Sequence, residues 1–296
     1  MRGHRTRAAA AALVLLTAAP PAGTAAPEDL VARGRAVFEA AGGCTCHTDL
    51  EGGGPPLAGG RALSTPFGVF RSTNITPDAE TGIGRWSDAD FQRAMREGRA
   101  PDGSAYFPVF PYPSFTGMSD EDLVALRAYL FSLPPVSRAN QPHEAWPPFR
   151  WRIAARAWQE LHFRPARFAP DPARSPAWNR GAYLVTAVAH CGECHTPRTA
   201  TGALDRTRWL AGTAEGPDGE LAPNITPHDA TGIGRWTRTD LVWYLQTGLQ
   251  PDGDHAEGLM AELIEHGFQH VPRADLEAIA DSLDSVPPVE HELLRR

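Results

Sequence analysis

The sequence predicts an all-α fold made by tandem duplication, two helical domains joined by a connector. Three observations carry that expectation. "NITPDAETGIGRW" at residues 74–86 returns as "NITPHDATGIGRW" at 224–236, an offset of 150, and self-similarity at a fixed offset marks a repeated unit. Apolar residues recur at helical steps in matching places, Leu123, Leu126, Leu130 and Leu133 in one copy and Leu276, Ile279, Leu283 and Val286 in the other, which puts each set on one face. Helix start and stop signals also recur: "SDADFQRAMREG" and "TRTDLVWYLQTG" each place Ser or Thr three residues before Asp and end on Gly.

Taken in order, the chain opens with Arg2, Arg5 and Arg7, an apolar stretch from Ala8 to Ala19, and small residues at Thr24, Ala25 and Ala26. This is the pattern of a secretory signal peptide, residues 1–26, cleaved near residue 25 or 26. No later segment has the roughly 20 apolar residues of a bilayer span, so membrane contact is expected to be peripheral at most. Loss of the leader removes three Arg and no acid, taking the formal charge from −7 to −10. Such acidity argues against a nucleic-acid partner, because phosphate binding relies on clustered positive charge.

The first domain, 27–136, begins with a helix running into "GGCTCHT", continues through a Gly/Pro-rich loop and the capped "SDADF" helix, and ends with the Leu123 helix, closed by Pro134. The connector, 137–176, is rich in Pro and Arg and carries Trp146, Trp151 and Trp158. One short helix is expected there, packed across both domains because those aromatics need burial; a partner-binding surface is the alternative. The second domain, 177–296, repeats the order of parts, its last helix closed by Pro287.

Four cysteines in an exported chain ordinarily suggest disulfides, yet these fall in two close pairs, each followed by histidine. "CGECH", Cys191 to His195, is a complete covalent haem motif: two thiols add to the porphyrin vinyl groups while the adjacent imidazole binds iron. A thioredoxin-like dithiol would want a βαβ setting, and a zinc site more ligands. Met260, the sole methionine of the second copy, is the candidate sixth ligand, since a thioether suits low-spin haem iron. Haem c is therefore the expected cofactor, with His195 and Met260 on the metal.

The first copy is altered. Cys44 pairs with Cys191 at offset 147, whereas Cys46 and His47 pair with Cys194 and His195 at 148, so one residue is missing between the thiols. Phe110 falls opposite Met260 and cannot ligate iron. Met118 and Met95, the other methionines of that copy, have ordinary places as a staple before the last helix and inside the second helix. Cys44, Cys46 and His47 accordingly either retain a second haem, with His47 on the metal and an open or weakly filled sixth position, or survive in a domain without haem.

The segments "CGECHTPR", both "NITP…TGIGRW" runs, "PYPSFTGMSDEDL", "PPFRWRIAARAW", "WNRGAYL" and "GLMAEL" together resemble the c-type cytochrome family that includes the cytochrome subunits of periplasmic alcohol, gluconate and aldehyde dehydrogenases. The resemblance covers nearly all the chain after the leader. It implies a pair of class I cytochrome c domains and transfer of electrons in the periplasm from a dehydrogenase partner to a quinone, an oxidase or another cytochrome, with no catalytic residues of its own. Asn74, Asn224, Arg85 and Arg235 are then either haem-edge groups or turn formers, and Trp86 and Trp236 either ring-packing or core aromatics. Two rivals remain at this point: a dihaem peroxidase-like enzyme with open iron in the first domain, and a monohaem cytochrome whose first domain is a docking module.

Overall fold

The computed structural model describes residues 27–293; the signal-peptide segment lies outside them. The protein is mostly helical, as the sequence predicts. In the first half α1 (Pro27–Ala40) leads to a tight turn at Gly42–His47, followed by α2 (Asp88–Glu97), a one-turn α3 (Tyr112–Phe115) and α4 (Asp120–Ser132). The connector holds α5 (Arg152–His162). In the second half α6 (Pro176–Tyr183) runs through a π-turn at Leu184–Val188 to α7 (Gly192–His195), then α8 (Arg238–Thr247), α9 (Gly258–His266) and α10 (Arg273–Asp284).

The capping signals fold as read. Ser87 Oγ accepts from Asp90 N while Asp90 accepts from Ser87 N, and Thr237 and Asp240 repeat the exchange. Both helices end on glycine in the left-handed region, Gly98 at φ 61° and Gly248 at φ 76°, where a Cβ would be strained. The first helix of each half crosses the last helix of the same half at a glycine, Gly34 over Ala125 and Gly181 over Ala278. Without a side chain there, the backbones approach closely enough for Leu123, Leu126, Leu276 and Ile279 to bury almost completely.

A single apolar core runs through both halves, from Val37, Leu57 and Leu126 to Val185, Leu210, Ile279 and Leu283. Met95 and Met118 are buried in it, as core residues.

Two features depart from the sequence reading. The Gly/Pro-rich loop of the first half contains a hairpin, β1 (Ala62–Thr65) with β2 (Gly68–Arg71), and the connector adds a short strand β3 (Glu144–Ala145) to β2. The connector aromatics are also not all covered. Trp158 is partly buried and donates from Nε1 to Thr201 O at 2.9 Å, so α5 does reach both halves, but Trp146 and Trp151 are 65% and 49% exposed. Ala155 and Gln159 alone of α5 are buried, Ala155 against Phe70 and Phe107 and Gln159 donating to Gly98 O at 2.9 Å. A single helix turned inward by that face cannot also bury aromatics that precede it.

Candidate functional site

Each Cys-His motif sits where the first helix of its half stops. In the second half His190, at φ 42°, breaks the helical path and Cys191 re-enters it. In the first half three successive residues take positive φ, Gly42 at 74°, Gly43 at 68° and Cys44 at 50°. Glycine adopts this freely, whereas a β-carbon pays roughly 1–2 kcal/mol, so the missing residue is absorbed by Gly42-Gly43 at some cost in Cys44. The four thiols are unpaired. Burial pushes Cys44, Cys191 and Cys194 up to about 12 and also raises Cys46, where Arg61 acts in the opposite direction.

From the histidine onward the two motifs are superimposable in their bonding. His195 Nδ1 faces Pro223 O at 2.8 Å and His47 Nδ1 faces Thr73 O at 2.7 Å. A carbonyl can only accept, which assigns the proton to Nδ1 and leaves Nε2 with its lone pair free. Burial lowers both imidazoles below their ordinary value, favouring the neutral form that ligates metal. The carbonyls of His47 and His195 each accept from a glycine at 2.7 Å, Gly59 and Gly212, and Thr48 and Thr196 each take a leucine N–H at 3.0 Å.

The motifs also pack against the opposite half. The Gly42–His47 turn lies on α9, the helix of Met260, so closely that a Cβ on Gly43 would stand 3.1 Å from that of His266. Reciprocally, α3 lies on the second motif: Ser114 Oγ donates to Glu193 Oε1 at 2.6 Å, and Phe115 stacks edge-on with His190 at 5.1 Å. Glu193, inside the motif and buried, is held from its own half by Arg198 Nη2 at 2.8 Å. Cys46 and Cys194 lie near enough for the charge of one to raise the other. Arg61, mostly buried beside Cys46, bonds Glu262 of α9 and pairs with Asp218 at 3.6 Å. None of Glu193, Ser114 or Arg61 was legible as part of the site, because the contacts that define them cross between the copies.

Met260 lies partly buried in the first turn of α9, whose N-terminus Glu220 caps by accepting from Leu259 N at 3.0 Å. Phe110 stands just before α3, ringed by Tyr106 at 5.5 Å, Phe115 at 5.8 Å and Tyr112 at 6.1 Å. Asn74 and Asn224 both act as turn formers. Asn74 Nδ2 donates to Val136 O at 2.7 Å and its Oδ1 accepts from Thr76 N and Oγ1; Asn224 does the same with Val289 O and Thr226. Their hydrogen bonds are spent tying the loop to the chain after each last helix. Arg85 is exposed and paired with Glu80, and Arg235 is exposed, while Trp86 and Trp236 pack against the core.

The chain is 40% identical over 262 residues to a "Diheme cytochrome c-type" protein of Cereibacter sphaeroides, covering 87% of this chain and 86% of the relative. It belongs to the c-type cytochromes. It is also 40% identical over 291 residues to the gluconate 2-dehydrogenase cytochrome c subunit of Pantoea cypripedii, and 38% identical over 274 residues to the alcohol dehydrogenase (quinone) cytochrome c subunit of Gluconobacter oxydans, covering 93% and 89% of this chain. It spans 64% and 56% of those two relatives' lengths. No family model matches the chain. Membership makes this cytochrome an electron-transfer protein with covalently bound haem c. Among the described residues no helix is long and apolar enough to cross a membrane.

Proposed function

We propose that this cytochrome is exported on the segment 1–26 and works in the periplasm, taking electrons from a dehydrogenase and passing them to a quinone, an oxidase or another cytochrome. In this reading residues 27–136 and 177–296 are two haem domains of one duplication, and residues 137–176 connect them. The relatives' names, which pair such chains with gluconate and alcohol dehydrogenases, support the donor.

The donor set of the second domain fits haem c: two half-buried, unpaired thiols, a neutral imidazole with its lone pair free, and one thioether on a capped helix. Bound there, haem c supplies reversible one-electron chemistry at iron. Cys191 and Cys194 would hold it through their sulfurs, and His195 and Met260 would supply nitrogen and sulfur donors to its iron. The carbonyl of Pro223 holds the proton on His195 Nδ1.

The first domain keeps a haem in this reading, held by Cys46 and His47 with Cys44 on the shortened turn. One observation carries it: His47 is oriented by Thr73 O as His195 is by Pro223 O, 2.7 against 2.8 Å. Phe110, at the repeat position of Met260, would supply no donor to that haem.

Intact mass of the protein exported with the haem-attachment machinery tests the reading. Two haems are expected, one mapping to Cys191 and Cys194 and one to Cys46. A single haem at Cys191 and Cys194 removes the first-domain assignment, and a reduced-minus-oxidised spectrum with no c-type band removes the whole.

A further inference from the structure

Five of the eight large apolar side chains most exposed among the described residues lie within residues 146–161. In α5 the buried face is Ala155 and Gln159. Across the helix, Ile153, Ala157 and Leu161 recur every fourth residue, so they form one stripe. All three are exposed, Ile153 at 70% and Leu161 at 75%. An ordinary surface helix shows polar groups on that side. The stripe is preceded by exposed Trp146, Phe149 and Trp151, with the Arg150 guanidinium over the Trp151 ring at 5.5 Å.

Charge follows the same trend. Residues 146–161 carry Arg150, Arg152 and Arg156 against Glu160, a net +2, and the connector as a whole seven Arg against Glu144, Glu160 and Asp171, a net +4, while residues 27–296 stand at −10. A flat anionic surface attracts this segment and repels the rest of the molecule, and so selects one orientation.

We infer that the ridge from Trp146 to Leu161 docks the cytochrome on an anionic lipid surface. Trp146, Phe149 and Trp151 sit at headgroup level, Ile153 and Leu161 enter the acyl boundary, and Arg150, Arg156 and Arg164 meet lipid phosphates. The same stripe on a protein partner would need a matching apolar groove, whereas a bilayer accepts it as it stands. Gln159 and Arg152 tie α5 to Gly98 O and Ala105 O, so docking of the ridge fixes the first half relative to the lipid surface. The inference is independent of how many haems are bound, and its measurement does not read haem.

The test is flotation of the mature holoprotein with phosphatidylcholine vesicles, with and without phosphatidylglycerol. The expected result is binding to the phosphatidylglycerol vesicles that weakens with salt, with a blue shift of tryptophan fluorescence. A variant carrying Trp151→Ser, Ile153→Ser and Leu161→Ser should lose binding about tenfold or more. Trp243→Ser, at an exposed tryptophan of α8 outside the ridge, should bind as wild type; unchanged far-ultraviolet dichroism shows that each variant is folded. Failure of the wild type to bind either vesicle, or equal binding by the ridge variant, overturns the inference. So does hydrogen-exchange protection of residues 146–161 by added dehydrogenase when vesicles give none.

Discussion

Gly181→Ala should destabilise the second half sharply, although alanine is the better helix former. A Cβ at Gly181 would lie inside the van der Waals radius of the Ala278 carbonyl and 3.0 Å from Ile279 N. At Gly34 the Cβ would lie 2.6 Å from the Ala125 carbonyl carbon and 2.7 Å from Tyr129 Cβ. Carbon contacts settle at roughly 3.5–4.0 Å, so α6 and α10 must part by about 1 Å, opening the seam that buries Leu276 and Ile279. Such overpacking costs about 3 kcal/mol or more, against a propensity gain of about 1 kcal/mol from removing glycine. The net loss of about 2–3 kcal/mol corresponds to a fall in melting temperature on the order of 5–10 °C for two halves that share one core. Thermal denaturation followed by far-ultraviolet dichroism measures it, with Gly34→Ala as the matched case in the first half. A Tm unchanged or raised in both variants would refute the close helix crossing.

Arg96→Leu should cost about 3 kcal/mol in urea denaturation, because the buried guanidinium donates to Thr116 O at 3.1 Å and Met118 O at 2.8 Å and its loss leaves two carbonyls unpaired. Asn224→Ala should cost about 2 kcal/mol by freeing the strand-like segment at Val289 from the Asn224 loop, with the reduced haem spectrum unchanged; a spectral change would return Asn224 to the haem edge. The Arg138 guanidinium holds the Asp49 carboxyl below its ordinary value. A depressed carboxyl contributes stability above the unfolded value, about 4, and loses it as pH falls through the folded one. The Tm difference between wild type and Asp49→Asn should therefore be present at neutral pH and vanish toward pH 3; a constant difference would contradict the ion pair.

Local signals were legible wherever their physics is local. Ser87, Asp90 and Gly98 bound α2 because a capping exchange and a left-handed stop need only ten neighbouring residues, and the same logic bounded α8. Leu123 to Leu130 pointed inward for reasons of helical period alone. The hairpin at Ala62–Arg71 has no clear signature in sequence, because four-residue strands give little alternation to read and the third strand comes from the distant pair Glu144-Ala145. Burial of the connector tryptophans was expected from their chemistry; which side of α5 faces the protein is decided by Ala155 and Gln159, and that leaves Trp146 and Trp151 outside.

The sequence by itself determined the all-α class, the repeat, the two Cys-His motifs and the single-residue deficit between Cys44 and Cys46, since all of these are matters of spacing along the chain. Only the tertiary structure decided that the first motif lies on the helix of Met260 and the second on α3. Ser114 meets Glu193, and Arg61 meets Glu262, across 79 and 201 residues of chain. Those pairs have no local signature, because what brings them together is the shared burial of Val37, Leu126, Val185 and Ile279 in one core. The same burial sets His47 and His195 alike, by delivering to each a backbone carbonyl more than twenty residues away.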